Sequence, residues 1–380
     1  MLYKTMKTNW ERFMTTTRLR VLMTLASLPL LLAGQSAGAM VSDSFESIVR
    51  AVRDEASRRG VSTQTLDRAL AGVQPLAVQT FENNQPERSR QITFAQYYNQ
   101  RATPAAIEKG RKFMRDHARQ LALIEQDTGV PPAIIMAILS IESNFGVVTG
   151  DQKVIPALLT LARDVQGNDR RAQERRAMFR EEAVQALMLV DEGYDEILTR
   201  QGSWAGAVGP AQFMPSAIRR YAVDGDSDGK KDMWSDYDDV LPSVANFLKE
   251  KGWRSGQRWG YKVLLPEGFN KGLLTDTLRE QHNKTPQEWA ALGVHLENGE
   301  AMPSDSAMHV MLIAPNFNKQ TGEFRGPVYM VYDNFRAVME YNKSYKYALT
   351  VLQMADIIAK QSRSSAAMPA VPPSPAPYNQ

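Results

Sequence analysis

The chain has 380 residues, 43% of them hydrophobic and 23% charged, a composition typical of a globular protein with a sizeable core. It has no cysteine, which excludes disulfides, thiol catalysis and zinc–thiolate sites, and its four histidines show no metal-binding spacing. The net charge is +3, but residues 1–20 hold five basic residues and one acidic residue. The rest of the chain is therefore close to neutral, which argues against nucleic-acid binding.

The N-terminus has the pattern of an export signal. A basic stretch leads into the uncharged run "VLMTLASLPLLLA", and Ala37-Gly38-Ala39 then fits the small-residue rule for signal-peptidase cleavage. The alternative is a transmembrane anchor, but the run is shorter than the ~20 apolar residues that cross a bilayer. No cysteine follows it, so no lipid can be attached. The sequence predicts a signal peptide over residues 1–39 and a periplasmic protein that is not a lipoprotein.

The following part of the chain is mainly helical in pattern. Residues 42–73 are predicted to form a helix, residues 75–104 are irregular and polar, and residues 105–198 show helical periodicity. Pro131 and Pro132 are typical of a helix start. The stretch 202–216, "GSWAGAVGPAQFMPS", is rich in glycine and proline, which favours a loop that another group approaches closely. Short helices follow up to Trp253.

After Trp253 the pattern changes to short strands. "WGYKVLLP", "SAMHVMLIAP" and "GPVYMVYDN" are apolar runs bounded by Gly, Pro and Asn, and a last helix is predicted to begin near Ser344. From Ser362 the Pro-, Ser- and Ala-rich tail is predicted to be disordered. The fold class is therefore α+β, predominantly α, with a small antiparallel β region. Beyond the signal peptide we divide the chain into regions 40–130, 131–254, 255–335, 336–361 and 362–380.

Glu142 stands at the end of an almost wholly apolar segment, "PPAIIMAILSIESNFG". A helix that is apolar around most of its circumference is buried, and burial favours the neutral form of a carboxyl group, which raises its pKa. An acid that is still protonated near neutral pH can protonate a glycosidic oxygen, and such catalysis contributes about 10² to 10⁴-fold in rate. The alternative is an ordinary surface charge at the solvated end of the helix.

Three stretches together carry a family resemblance. "ESNFG", "GSWAGAVGPAQFMPS" and "MEYNKSYKYAL" resemble the lysozyme-like lytic transglycosylases, most closely the lytic murein transglycosylase B family. The resemblance extends over residues 42–360. It implies that residues 131–254 form a lysozyme-like catalytic core, to which residues 336–361 return, and that Glu142 is the catalytic acid.

The resemblance also implies a set of substrate-binding residues. Ser203 and Asn342 match polar residues that hold the N-acetyl group of the substrate. Gln212 and Met214 match residues that line the cleft. Without the resemblance, Met214 is more often a flexible filler of core gaps than a ligand contact.

Two further pairs follow from the same resemblance. Tyr341 and Tyr347 match aromatics that contact sugar rings, although either could equally be a core aromatic. Arg170 and Arg171 match an arginine pair that meets an acidic group such as a stem-peptide carboxylate. The alternative for "DRRAQERRAMFREE" is a solvated helical face.

The matched segments contain one acid, whereas most glycoside hydrolases use two carboxylates about 5 to 9.5 Å apart. The resemblance implies that Glu142 protonates the leaving oxygen of the β-1,4 bond between N-acetylmuramic acid and N-acetylglucosamine in peptidoglycan. It would then take a proton from the muramoyl 6-hydroxyl to form a 1,6-anhydro product, with no catalytic cofactor. The alternatives are a lysozyme-type hydrolase and a non-catalytic glycan-binding protein. Partners among other cell-wall enzymes are left open.

The stretch "DGDSDGKKDMWSDYDD" begins like an EF-hand calcium loop. Asp224, Asp226 and Asp228 alternate and are followed by Gly229, and Lys230 would contribute its backbone carbonyl. The twelfth position is Ser235, where a bidentate Glu is expected.

The family resemblance implies a longer loop that an aspartate closes, and either Asp238 or Asp239 fits that position. A structural calcium ion is the resulting hypothesis. The alternative is a solvated turn in which the aspartates act as helix caps.

Overall fold

The computed structural model describes residues 44–77, 92–274, 283–304, 310–318, 321 and 323–365. The predicted signal peptide and most of the predicted C-terminal tail lie outside the described residues. The helix predicted over residues 42–73 is two helices, α1 (Phe45–Arg58) and α2 (Thr63–Leu70). The break follows Gly60, which has a φ of 94°, and the Ser62 side chain caps α2 by accepting a hydrogen bond from the Thr65 N–H.

A helix interrupts the segment that was predicted to be irregular. This helix, α3 (Phe94–Arg101), begins with a capping box in which Thr93 and Gln96 bond each other's backbone N–H groups. The prediction over residues 75–104 was therefore wrong for this part. Helix α4 (Pro104–Asp116) follows at once, with Thr103 as its N-cap.

Three of the remaining helices, a 3₁₀ helix and the two α-helices that follow it, lie between Trp253 and Ser344, where only strands were predicted, and the remaining helices otherwise follow the predicted helical regions. They are α5 (Ala118–Thr128), α6 (Pro132–Ser143), α7 (Val154–Asp164), α8 (Arg170–Asp191), α9 (Glu196–Thr199), α10 (Pro215–Tyr221), α11 (Tyr237–Glu250), a 3₁₀ helix (Lys271–Leu273), α12 (Pro286–Ala291), α13 (Asp333–Tyr341) and α14 (Tyr345–Ser365). Helix α14 begins where predicted and continues to Ser365, so residues 362–365, which were predicted to be disordered, are helical.

The strands form two antiparallel sheets. The first pairs β1 (Gln152–Lys153) with β2 (Gln201–Gly202). The second has the order β4-β3-β6-β5, with Gly260 opposite Val331 in its central pair and Met311 opposite Val331 at its edge. Its strands are β3 (Gly260–Leu264), β4 (His295–Leu296), β5 (Met311–Ile313) and β6 (Val328–Val331). The predicted class, mostly helix with a small antiparallel region, is confirmed.

The four-stranded sheet is buried on both faces because it lies between two apolar clusters. In β6, Tyr329 and Val331 belong to the main core, whereas Val328 and Met330 belong to a second cluster around Trp289. This alternation is the two-residue period of a strand. The main core itself runs from α1 to α14, so regions 40–130, 131–254 and 336–361 share one interior.

Helix α6 lies in the middle of that main core. Its residues from Ile135 to Leu139 are fully buried, and it packs against α14 and α4. Within the described part of the chain, no single helix is long and apolar enough to span a membrane. Helices α5 and α6 would pass such a test only as a pair, and they are bent by 109°.

Candidate active site

Glu142 lies in the last turn of α6, where the chain leaves the core. Asn144 and Phe145 both have positive φ, 52° and 55°, and they end the helix sharply. The Glu142 residue as a whole is half-buried, but its carboxyl group is enclosed by protein. Its Oε1 accepts a hydrogen bond of 2.5 Å from the hydroxyl of Tyr347, which is 2% exposed.

Burial raises the pKa of Glu142 to about 7. The Tyr347 hydrogen bond and the positive charge of Arg101 both lower this pKa, but by less than burial raises it. Among the described residues, no second carboxylate contributes to the shift. Near neutral pH, Glu142 is thus divided between its protonated and ionised forms and can both give and take a proton.

We expect Tyr347→Phe to raise the pKa of Glu142 above about 7, because the lost hydrogen bond stabilises the ionised form. The measurement is an NMR pH titration of the carboxyl carbons in protein with ¹³C-labelled glutamate. Tyr341→Phe is the matched control, since the Tyr341 hydroxyl bonds a backbone carbonyl and not Glu142. An unchanged Glu142 midpoint in Tyr347→Phe would contradict the role given to this hydrogen bond.

Tyr341 and Tyr347 stack with their ring centroids 6.5 Å apart and their planes 12° from parallel. Tyr347 is buried, so it reaches the site through its hydroxyl, whereas Tyr341 is half-buried. The Tyr341 hydroxyl donates to the Ala211 carbonyl at 2.5 Å. Burial and the nearby Glu142 raise the pKa of both tyrosines well above 10, so both hydroxyls remain protonated donors at neutral pH.

Helix α3 contributes two residues that the sequence analysis did not single out. Tyr97 is 6% exposed, and its pKa is raised by burial and also by Glu142. The Arg101 guanidinium carbon lies 3.9 Å from the centre of the Tyr97 ring. The capping-box pattern Thr93-x-x-Gln96 was the available signal for this helix, and residues 97 and 101 then share one face because they are one turn apart.

The glycine-rich loop is held against the end of α6. The Ser143 hydroxyl, one residue after Glu142, donates to the Pro210 carbonyl at 2.7 Å. Gly209 has a φ of 66°, and a Cβ there would lie 1.7 Å from the Met233 carbonyl oxygen. No side chain fits at that position, which is the close approach that the glycine density predicted.

Two residues of the glycine-rich loop that were predicted to bind substrate form hydrogen bonds with backbone groups. The Ser203 Oγ accepts hydrogen bonds from the N–H groups of Ala205 and Ala207 at 3.3 and 3.0 Å, which leaves its O–H able to donate. The Gln212 side chain donates to the carbonyls of Thr149 and Gly209. Met214 is half-buried and packs against the main core.

The other predicted substrate-binding residues lie at exposed positions. Asn342 is exposed at the C-terminal end of α13, directly after Tyr341. Arg170 and Arg171 begin α8 and are both exposed, and Arg170 pairs with Glu174 at 2.7 Å on the same helix. Within the described residues, no contact joins this arginine pair to Glu142.

The acidic loop brings three carboxylates together. Oxygens of Asp224, Asp226 and Asp239 lie within 4.8 Å of one another, a spacing that fits the 2.3–2.6 Å oxygen distances of calcium. Asp239 is 1% exposed, and burial and the neighbouring Asp236 and Asp226 raise its pKa. The alternative closing residue, Asp238, is exposed.

Asp228 lies outside this group of three carboxylates, whereas the backbone carbonyl expected from Lys230 stays a prediction. The Asp228 carboxylate accepts a hydrogen bond from the Lys230 N–H at 2.8 Å. Among the acidic and histidine side chains that the structure describes, those of Asp224, Asp226 and Asp239 lie close enough together to share a hard cation.

Residues 44–356 match the family model described as the transglycosylase SLT domain. The chain belongs to this family. The match covers every described element from α1 into α14, so the family resemblance drawn from the sequence is confirmed.

Known members resemble this SLT-domain protein over different lengths. It is 30% identical to membrane-bound lytic murein transglycosylase B of Escherichia coli over 262 residues, 68% of this chain and 65% of that protein. The match therefore spans less than two thirds of that relative's length.

Two solved structures have the same fold. SltB3 from Pseudomonas aeruginosa, solved in complex with NAG-anhNAM-pentapeptide, is 35% identical with a TM-score of 0.70, over 83% of this chain and 80% of that one. The Escherichia coli lytic transglycosylase Slt35, solved in complex with calcium, is 26% identical with a TM-score of 0.66, over 83% of this chain and 94% of that one.

Proposed function

We propose that this SLT-domain protein is a lytic transglycosylase. It would cleave the β-1,4 bond between N-acetylmuramic acid and N-acetylglucosamine in peptidoglycan and form a 1,6-anhydromuramoyl product. The family membership supports this proposal, as does the complex of SltB3 with NAG-anhNAM-pentapeptide. The observation that carries it is the enclosed Glu142 carboxyl group, whose pKa is raised to about 7.

In the first step Glu142 acts as the acid. A glutamate with its ordinary pKa of about 4.3 would be almost wholly ionised at neutral pH, whereas the raised pKa keeps a substantial fraction protonated. The proton passes from the Glu142 carboxyl to the glycosidic oxygen as the bond to the anomeric carbon breaks. The carbonyl of the muramoyl N-acetyl group stabilises the positive charge at that carbon, and Ser203 and Asn342 hold this acetyl group.

In the second step the Glu142 carboxylate acts as the base. It takes the proton of the muramoyl 6-hydroxyl, whose oxygen bonds to the anomeric carbon, and the acid is regenerated. The Tyr347 hydroxyl donates to Glu142 Oε1, which supports the carboxylate between the two steps and limits its rotation. Gln212, Met214 and Tyr341 line the cleft beside the reacting sugar, and Arg170 and Arg171 meet acidic groups of the substrate farther out.

A lysozyme-type hydrolase is the second candidate. In most such enzymes a second carboxylate activates water or forms a covalent intermediate. The pKa of Glu142 is shifted by burial, Tyr347 and Arg101 and by no acidic group among the described residues, which favours the transglycosylase. A glycan-binding protein without activity would have no use for a carboxyl group tuned to neutral pH.

The product decides between these candidates. We expect wild-type protein incubated with purified peptidoglycan to release muropeptides that end in 1,6-anhydro-N-acetylmuramic acid. These are 18 Da lighter than hydrolysis products because water is not added, and mass spectrometry separates the two. Reducing-end products would make the protein a hydrolase, and an undigested polymer would make it a binding protein.

We further propose that the acidic loop holds a structural calcium ion between Asp224, Asp226 and Asp239. The convergence of the three carboxylates and the calcium complex of Slt35 support this. Such an ion would stabilise the loop before α11, and the chemistry at Glu142 does not require it.

Finally, we propose that the protein is exported to the periplasm after cleavage near residue 39. The basic stretch, the apolar run and the Ala-Gly-Ala site at the N-terminus support this location.

A further inference from the structure

A second concave site lies beside Glu142. It is a cavity of about 380 Å³ between α3, α4 and the end of α6, and its lining includes Gln100, Arg101, Lys109, Ile141 and Asn144. Glu142 is not among the residues that line this cavity, but Ile141, which directly precedes Glu142 in the chain, is. The cavity is therefore next to the proposed catalytic centre and separate from the glycine-rich loop.

The charged residues that line this cavity are all positive. Its lining contains two cationic side chains, Arg101 and Lys109, and no acidic residue in the part of the chain that is described. Its nearest acid along α4, Glu108, is directed to Arg111 and Arg115, with contacts of 3.5 and 3.3 Å. Arg101 also interacts with Glu142, whose pKa it lowers. Two cations around a cavity with no acid in its described lining still produce a local positive potential that attracts an anionic group.

Both cations keep hydrogen-bonding capacity for a ligand. The Lys109 ammonium donates to the backbone oxygen and the side-chain oxygen of Asn144 at 2.8 and 3.0 Å, and an ammonium group has three donors. The Arg101 guanidinium is fixed by its stacking on Tyr97. Among the described residues it has no hydrogen-bond or ion-pair partner, so its planar donors are available to a carboxylate.

We propose that this cavity is a subsite for a carboxylate of the stem peptide of peptidoglycan, with Lys109 and Arg101 as its cationic ligands. The inference rests on the proposed function, and it adds the stem peptide to the parts of the substrate that the protein binds. The glycan itself is neutral where the muramoyl lactyl group is joined to peptide, so the ionised acids of the polymer are on the peptide. The pentapeptide ligand of SltB3 shows that a relative accommodates a peptide-bearing disaccharide.

The test compares glycan strands that bear intact stem peptides with strands whose peptide carboxylates have been converted to neutral amides. The measured quantity is the ratio of kcat/KM for the two substrates. We expect Lys109→Met to lower this ratio about tenfold, the effect of losing one charge-assisted hydrogen bond, and Lys109→Arg to restore most of it. Lys112→Met is the matched control, because Lys112 lies on the same helix but pairs with Asp116 in solvent. Its ratio should equal that of wild type.

Arg101 is not used for this comparison because it also lowers the pKa of Glu142. If Lys109→Met does not fold, Lys109→Gln replaces it, since an amide still donates to the Asn144 carbonyl. Binding is measured separately by calorimetry with the inactive Glu142→Gln protein and NAG-anhNAM-pentapeptide, against the same compound with its peptide carboxylates converted to amides.

The outcomes of these experiments test the proposed subsite and the proposed enzyme activity separately. A wild-type protein that forms no anhydro product refutes the proposed function, whatever the variants do. If wild type forms that product but Lys109→Met keeps the wild-type ratio, the subsite is wrong and the function stands. An equal loss on both substrates would likewise overturn the subsite, because it would show that Lys109 does not recognise the peptide carboxylate.

Discussion

Replacing Glu142 by Gln is expected to reduce turnover of peptidoglycan by about 10³-fold or more while binding of glycan strands is retained. General acid–base catalysis contributes about 10² to 10⁴-fold, and here one carboxyl group serves both proton transfers. The amide has nearly the same shape and can still accept the Tyr347 hydrogen bond, so the site should keep its geometry. Turnover is measured as release of anhydromuropeptides, and binding as sedimentation with insoluble peptidoglycan.

Glu182→Gln is the matched control for this variant. Glu182 is also buried, its pKa is also raised by burial, and it bonds Ser216 at the start of α10, outside the site. This second variant should keep turnover close to that of wild type. Substantial residual turnover in Glu142→Gln would show that another group supplies the proton.

The same variant should change stability in a pH-dependent way. The pKa of Glu142 is about 7 in the folded protein and about 4.3 for an ordinary, solvated glutamate in the unfolded chain, so the folded state binds more protons between these two pH values. The contribution of Glu142 to the free energy of unfolding of wild type therefore falls as pH rises from about 4.3 to about 7. Glu142→Gln removes the cost of ionising a buried carboxyl group above pH 7. That cost is of the order of 1–3 kcal/mol for a half-buried group. Its Tm should exceed that of wild type at pH 8 and converge with it at pH 5.

Calcium is expected to raise the Tm by several degrees, and a chelator should reverse the increase. A ligand that binds only the folded state contributes about 2.7 kcal/mol at 100 times its Kd. Asp239 lies buried near Asp226 and Asp236, and a bound divalent cation would offset the mutual repulsion of these carboxylates. The measurement is thermal unfolding followed by circular dichroism with calcium, with magnesium and with EDTA.

Two neighbouring aspartates make this calcium test specific. Asp239→Asn should abolish the calcium response, whereas Asp238→Asn, at the exposed adjacent position, should keep it. Asp239 also accepts hydrogen bonds from the N–H groups of Gly225 and Asp232, so its variant could lose stability for that reason alone. Asp226→Asn, at an exposed position, is then the second variant. If calcium does not change the Tm of wild type, the calcium proposal is wrong, and the loop is a solvated turn in which the aspartates act as helix caps.

Local pattern was sufficient for the element that carries the candidate acid. The run from Ile134 to Leu139 predicts a buried helix, and α6 is that helix. The strands β3, β5 and β6 and the start of α14 also lie where the sequence placed them. Helix α3 was missed because it is short and its apolar positions are few, so its capping box was a stronger signal than its periodicity.

The sequence by itself determined the family, the mostly helical class and the position of an acid at the end of a buried helix, because these depend on local patterns of residues. The tertiary structure decided which groups meet that acid. Tyr347 is 205 residues from Glu142 along the chain, and only the packing of α14 on α6 brings the two together. It also places Asp239, and not Asp238, beside Asp224 and Asp226. Adjacent residues on α11 point about 100° apart, so only one of them can face the acidic loop.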